Sequence, residues 1–101
     1  MDKREAVKIA KEYLNFIKSK FEVNKAYLFG SYAKGTQRDD SDIDIAIILD
    51  KKSDIIESQI ELMKLRRKIN LNIEPHPFYF KDFNLSNPLA YEILKHGEIL
   101  V

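Results

Sequence analysis

Asp42 and Asp44 stand two residues apart in the run Ser41-Asp42-Ile43-Asp44-Ile45. On a strand, residues at that spacing share one face, with Cα atoms roughly 6.6 Å apart. Flexible carboxylates so placed can converge on one cation, or on two cations ~3.5–4 Å apart. Unpaired, two such acids repel each other, and a divalent cation removes that cost. The chain has no cysteine and only two histidines, so thiolate and His-rich zinc sites are excluded and the donors left are oxygens. That set suits Mg²⁺, with Mn²⁺ as the alternative. Upstream lies Phe29-Gly30-Ser31-Tyr32-Ala33-Lys34-Gly35. Gly30 lets the backbone leave a strand and pass close to a ligand. Ser31 offers a hydroxyl and an N–H at the start of a short helical turn, where exposed N–H groups attract phosphate oxygens. Lys34 adds charge towards the same anion.

The elements that must carry these groups follow from apolar spacing. Val7, Ala10, Tyr13, Leu14, Ile17 and Phe21 recur at helical intervals, which predicts a helix from Asp2 to about Lys20. Ala26 to Phe29 is predicted as a short strand, Gly30 and Gly35 bracket a turn, and Asp42 to Leu49 is predicted as a second strand. Ser53 or Asp54 caps a second helix to about Lys68, with Ile56, Ile60, Met63 and Leu65 supplying much of its buried face. Ile69 to Glu74 alternates apolar and polar residues, a third strand that Pro75 and Pro77 bring to an end. A last helix begins near Pro88 behind Ser86 or Asn87 and closes at Gly97, and Glu98 to Val101 forms a short terminal strand. The order α-β-turn-β-α-β-α points to an α/β or α+β fold, a small sheet covered by helices.

The segment Gly-Ser-Tyr-Ala-Lys-Gly followed by Ser-Asp-Ile-Asp-Ile resembles the signature of the polymerase-β-like nucleotidyltransferase superfamily: Gly-Ser, a short variable stretch, then Asp-x-Asp. The fuller match looks like its minimal nucleotidyltransferase branch, the smaller partner of MNT–HEPN toxin–antitoxin pairs. The resemblance implies a third carboxylate on a neighbouring strand, and Glu74 is the choice, on the polar face of the third strand. Asp50 is six residues beyond Asp44, roughly 20 Å along an extended strand and too far, while Asp39 and Asp40 sit in the loop. The family often carries aspartate at the third position, so a glutamate is a departure that adds one methylene of reach. The implied reaction is attack by an acceptor hydroxyl on the α-phosphate of a nucleoside triphosphate, AMP from ATP, with release of pyrophosphate. In it Asp42 and Asp44 would hold two metal ions, Glu74 would complete one site, and Ser31 and the Gly30 backbone would bind the terminal phosphates. The acceptor implied is a hydroxyl on a HEPN toxin, the chain acting as antitoxin.

Plainer readings stand beside these. Asp42 and Asp44 alone are a solvated strand face, Gly30-Ser31 alone an ordinary turn, and Glu74 a surface residue at a strand end; the coincidence of the three motifs favours the site. There is no Gly-x-Ser-x-Gly elbow to make Ser31 a nucleophile, and no Gly-Lys-Ser/Thr of a P-loop. His76 reads as packing or solvent, His96 as a cation suited to the end of a helix, and Tyr32 as core. Lys34 and Arg38 read mainly as solvated charges, and Arg66-Arg67-Lys68 as a solvated helix end.

The 101 residues fit one nucleotidyltransferase domain, 1–101, with 45% apolar and 33% charged content, an ordinary globular balance. Net charge is +1, from 17 basic and 16 acidic side chains, which disfavours a nucleic-acid polymerase or a backbone-gripping surface. No stretch reaches membrane-spanning length and no signal-peptide core follows Met1, so a cytoplasmic protein is expected. A chain this size holds a catalytic core without a template-binding domain, so the acceptor must come from a partner or from self-association. The rival from another class is a binding module that neutralises its partner by contact, with the site inactive.

Overall fold

The computed structural model describes residues 1–101. Asp2 accepts a hydrogen bond from the Glu5 N–H at 2.8 Å and so starts helix α1, Lys3–Ile17. Its buried stripe, Ala6, Ala10, Tyr13, Leu14 and Ile17, keeps the spacing of one helix face. The helix ends at Ile17 and not near Lys20, because Lys18 to Lys20 turn the chain into strand β1, Val23–Phe29. That strand is three residues longer at its start than the apolar run suggests: its first half, from Val23 to Lys25, is largely solvated. A single helical turn, α2, Ser31–Lys34, leads to strand β2, Ile43–Leu49. Helix α3, Ile55–Leu65, continues as a 3₁₀ turn, Arg66–Lys68, into strand β3, Ile73–Tyr79. A second 3₁₀ turn, Phe80–Asp82, helix α4, Pro88–His96, and strand β4, Glu98–Ile99, complete the chain.

The four strands form a mixed sheet in the order β3-β2-β1-β4. β1 is antiparallel to β2 and β4, and β2 is parallel to β3, with α3 as the crossover that a parallel pair requires. β2 is central, and its isoleucines are buried on both faces, as a near-continuous apolar strand must be. On one face Ile43, Ile45 and Ile47 pack with Tyr13 and Ile17 of α1 and Leu62 of α3. On the other, Ala46 and Ile48 pack with Ile93 of α4. The Tyr13 hydroxyl donates to the Leu62 carbonyl at 2.7 Å and ties α1 to α3. No helix is long and apolar enough to cross a membrane.

Two further expectations differ from the fold. β3 does not end before its prolines but runs through both, and Ile69 to Asn72 form a turn in which the Asn72 N–H donates to Asn70 Oδ1. β3 is an edge strand. Its even-numbered residues bond towards β2, as when the Asn72 carbonyl accepts from the Ile43 N–H. Ile73, Pro75 and Pro77 present their backbone to the open side, so the missing proline N–H groups leave no ladder bond unmade. Side chains take the carbonyls there: Gln59 Nε2 donates to Pro75 at 2.7 Å and Arg66 Nη1 to Ile73 at 2.8 Å.

The second correction concerns α3. Its buried residues are Ser58 and Leu62, with Met63 and Leu65 half-buried, while Ile56 is 72% and Ile60 50% exposed. The helix carries apolar side chains on two faces, and periodicity alone does not say which one meets the sheet. Ser58 is accepted in the core because its hydroxyl pairs with Ser53 Oγ at 3.1 Å. The last helix follows its signals: Asn87 caps it by accepting from Leu89 and Ala90, Pro88 is its first residue, and Lys95 and His96 end it. Tyr32 is fully buried, as core.

Leu62→Ala should lower the unfolding free energy by ~2–5 kcal/mol, a buried truncation, whereas Ile56→Ala should stay within ~0.5 kcal/mol. Urea unfolding of the two variants checks the corrected face of α3. The tyrosines set an alkaline limit. Burial raises the pKa of Tyr13 against the opposing pull of Arg66, and burial, then Asp39 and Glu5, raise that of Tyr32. Unfolded tyrosines ionise near pH ~10, so above that pH the unfolded state releases protons first. Stability should therefore be full below pH ~10 and fall as pH rises beyond it. The Tyr32 hydroxyl has no protein hydrogen-bond partner. Tyr32→Phe should thus change stability at neutral pH by less than ~1 kcal/mol while weakening the alkaline loss, as read from melting temperature against pH.

Candidate active site

The site assembles where β1 ends and β2 begins. Gly30 leaves β1 with φ 74° and ψ −151°, a conformation open to glycine and strained for other residues. α2 follows, and Gly35 closes it at φ 75° with its N–H on the Ser31 carbonyl. The buried ring of Tyr32 anchors this turn in the core beneath it. The first N–H groups of the turn have no acceptor within it; the bonding begins with Lys34 N–H to the Gly30 carbonyl at 3.1 Å.

Across from the turn, Asp42 immediately precedes β2 and is exposed, and Asp44 is the second residue of the strand. Asp44 is flanked in register by Phe29 of β1 and Glu74 of β3. In-register neighbours of adjacent strands stand ~4.8 Å apart and point to the same side. Asp44 and Glu74 therefore belong to one edge of one sheet face, the face that α4 covers further along, with Asp42 in the segment just before it. Gly30 touches this group directly: a Cβ added there would run into Asp44 Oδ2. The Gly30 turn and Asp44 thus meet at one point.

The individual side chains are placed as follows. Asp44 is 25% exposed and its Oδ1 lies 3.3 Å from His76 Nε2. Glu74 stands beside Asp44, but its carboxylate leans to the sheet edge, with Oε2 3.7 Å from Arg66 Nη1. No three His, Asp or Glu side chains close on one point as the groups stand. The Lys34 ammonium rests on Glu92 of α4 at 3.1 Å, which holds the Glu92 carboxyl below its usual pKa, with His96 and Lys95 adding to the effect. Of the rivals for third acid, Asp39 and Asp40 lie exposed in the turn before Ser41, and Asp50 lies beyond the far end of β2, bonded to Asn24 Nδ2 at 2.8 Å. Two readings are corrected here: His76, expected as packing or solvent, meets Asp44, and Arg66, expected on a solvated helix end, is largely covered and reaches Glu74 and the Ile73 carbonyl. The alternation of β3 carried a signal for His76, which is two residues from Glu74 and so on its face.

The donor set fits a hard divalent cation. It offers only carboxylate oxygens, on neighbouring strands, with a glycine at the one position where a side chain would displace Asp44. The site is an open shelf: the two largest grooves, about 600 and 850 Å³, lie at the opposite end around Phe21 and Glu22 and include none of the three acids.

Gly35 lies in the left-handed region, at ~1–2 kcal/mol for a non-glycine residue, and a Cβ there meets nothing. Gly30, at φ 74° and ψ −151°, lies in a region essentially restricted to glycine, and a Cβ there would also push Asp44 aside. Gly30→Ala should therefore cost more stability than Gly35→Ala in paired denaturant titrations; equal losses would contradict the difference in backbone conformation.

The family model described as polymerase beta, nucleotidyltransferase matches residues 11–101. A Methanocaldococcus jannaschii protein named "Putative protein adenylyltransferase MJ0604" is 35% identical over 97 residues, 92% of this chain and 95% of its own. A crystal structure from Sulfolobus solfataricus has a TM-score of 0.68 at 23% identity, covering 96% of this chain and 80% of that one, and shows the shared fold alone. A structure described as a toxin-antitoxin with AMP-PNP has a TM-score of 0.67 at 26% identity, covering 90% of this chain and 72% of that one.

Proposed function

This chain belongs to the polymerase-β nucleotidyltransferase family and is a nucleotidyltransferase, and from that premise we propose that it transfers AMP from ATP to a hydroxyl on a partner protein, a HEPN toxin, as that toxin's antitoxin. The observation that carries the reading is the contact of the Gly30 turn with Asp44, in register with Glu74. It brings the start of a helical turn, whose free N–H groups attract phosphate, beside acids that would hold the cations of a triphosphate. The adenylyltransferase name of the M. jannaschii relative and the AMP-PNP of the toxin–antitoxin neighbour support the choice of nucleotide and acceptor.

Asp42, Asp44 and Glu74 would hold Mg²⁺, as two ions, with Mn²⁺ as a substitute. Bound there, the metal supplies charge neutralisation for the phosphates. The chain's own groups do the rest. Ser31 and the backbone of Gly30 take the terminal phosphates at the start of α2, and Lys34 adds its charge by exchanging Glu92 for phosphate. Glu74, freed from Arg66, accepts the proton of the acceptor hydroxyl. The acceptor oxygen bonds to the α-phosphorus while the bond to pyrophosphate breaks, and pyrophosphate leaves. Most of the rate comes from placing these groups in line before the reaction. In this reading residues 1–101 form one catalytic domain that works in the cytoplasm, with the acceptor hydroxyl carried by the partner protein.

Incubation with α-labelled ATP, Mg²⁺ and the protein encoded by the neighbouring gene tests the proposal. Label should pass to that protein, and the double change Asp42→Asn/Asp44→Asn should abolish transfer. Glu74→Gln should slow it at least ~10²-fold, as expected for loss of a proton acceptor, and near-normal activity would remove Glu74 from the site. Neutralisation of the partner that survives the double change would favour the contact-only binding module.

A further inference from the structure

His76 is the one side chain bonded to Asp44, and it belongs to a different strand. Its Nε2 lies 3.3 Å from Asp44 Oδ1, and its ring stands edge-on to Phe29 with centroids 4.9 Å apart. Phe29 is itself the β1 neighbour of Asp44. The position in register with His76 is Ala46, fully buried, whose methyl leaves the imidazole room to lean back along the sheet towards residue 44. Asp44 is thereby held from two sides: Oδ1 by His76, and Oδ2 against the Cα of Gly30. Glu74 has no such restraint, and it leans away to Arg66. An ionised carboxylate only accepts hydrogen bonds, so Nε2 must be the donor.

We propose that His76 is a positioning residue for Asp44: it donates from Nε2 to Oδ1 and fixes the rotation of the carboxylate, so that the acid meets a divalent cation without first being ordered. The inference rests on the reading of Asp44 as a cation ligand. Carboxylate ligands of metals are themselves held by hydrogen bonds, and removing such a partner weakens metal affinity ~10- to 100-fold. His76 acts through Asp44 and takes no part in bond making.

Mn²⁺ titration by electron paramagnetic resonance, on the unaltered protein and on His76→Phe and His76→Gln, tests this without any turnover. Phe keeps the ring against Phe29 and removes the donor; Gln restores a donor of similar reach. Mn²⁺ should bind His76→Phe at least ~10-fold more weakly and His76→Gln within ~3-fold of the unaltered protein. In label transfer, His76→Phe should raise the KM for metal while kcat at saturating metal is largely kept. A fall in kcat with unchanged metal affinity, or equal loss in both variants, would overturn the assignment. Imidazole ¹⁵N spectra of the unaltered protein stand even if a variant fails to fold: Nε2 should carry the proton, and a bare Nε2 would overturn the proposal. Unaltered protein that binds no Mn²⁺ would overturn the cation reading together with it, whereas equal binding by His76→Phe would sink the positioning role alone.

Discussion

The parallel, in-register pairing of β2 with β3 places two carboxylates, Asp44 and Glu74, side by side at one end of a sheet whose middle is isoleucine and alanine. Ionised carboxylates on adjacent strands repel each other unless they lean apart or find partners, and here the Glu74 carboxylate leans to Arg66 while Asp44 meets His76. A cluster of this kind persists in a small domain because the strands that carry it are held elsewhere, by the packing of α1 and α3 beneath Ile43, Ile45 and Ile47. In the proposed reading, a bound divalent cation would relieve the repulsion that remains.

The same pairing explains how a strand with two prolines can serve. Only an edge strand whose odd residues face outward tolerates Pro75 and Pro77, and that parity directs Glu74 and His76 to the face of Asp44. The prolines also deny that edge to a further strand, and Gln59 and Arg66 occupy two of its carbonyls. One alternation thus sets the protected edge, the position of the third acid and the position of the histidine that meets Asp44.

Around the site, two kinds of glycine constraint differ in origin. Gly30 combines a positive φ with contact to a carboxylate, so its lack of a side chain serves the site itself. Gly97 has an ordinary extended backbone, φ −75°, and is needed because the Ile93 carbonyl lies against it. The first was readable from its neighbours, Ser31 and the acids downstream. The second reads as a helix stop, and its packing role emerges only from α4 lying over the sheet.

The residues alone determined what depends on local chemistry: the Gly30-Ser31 turn, the close spacing of Asp42 and Asp44, the caps of α3 by Asp54 and of α4 by Asn87, the burial of Tyr32, and the mixed helix-and-sheet class. Side-chain type and two- or four-residue spacing act within a few residues, so they survive any packing. The tertiary structure decided the rest. It chose Ser58 and Leu62 over Ile56 and Ile60 as the inner face of α3, carried β3 through its prolines, and brought His76 to Asp44 and Arg66 to Glu74. Each of these depends on which element lies alongside and in what register. His76 and Asp44 are 32 residues apart across the crossover, and even Arg66 meets Glu74 only once the turn between α3 and β3 is folded, so only the folded sheet sets these partners next to one another.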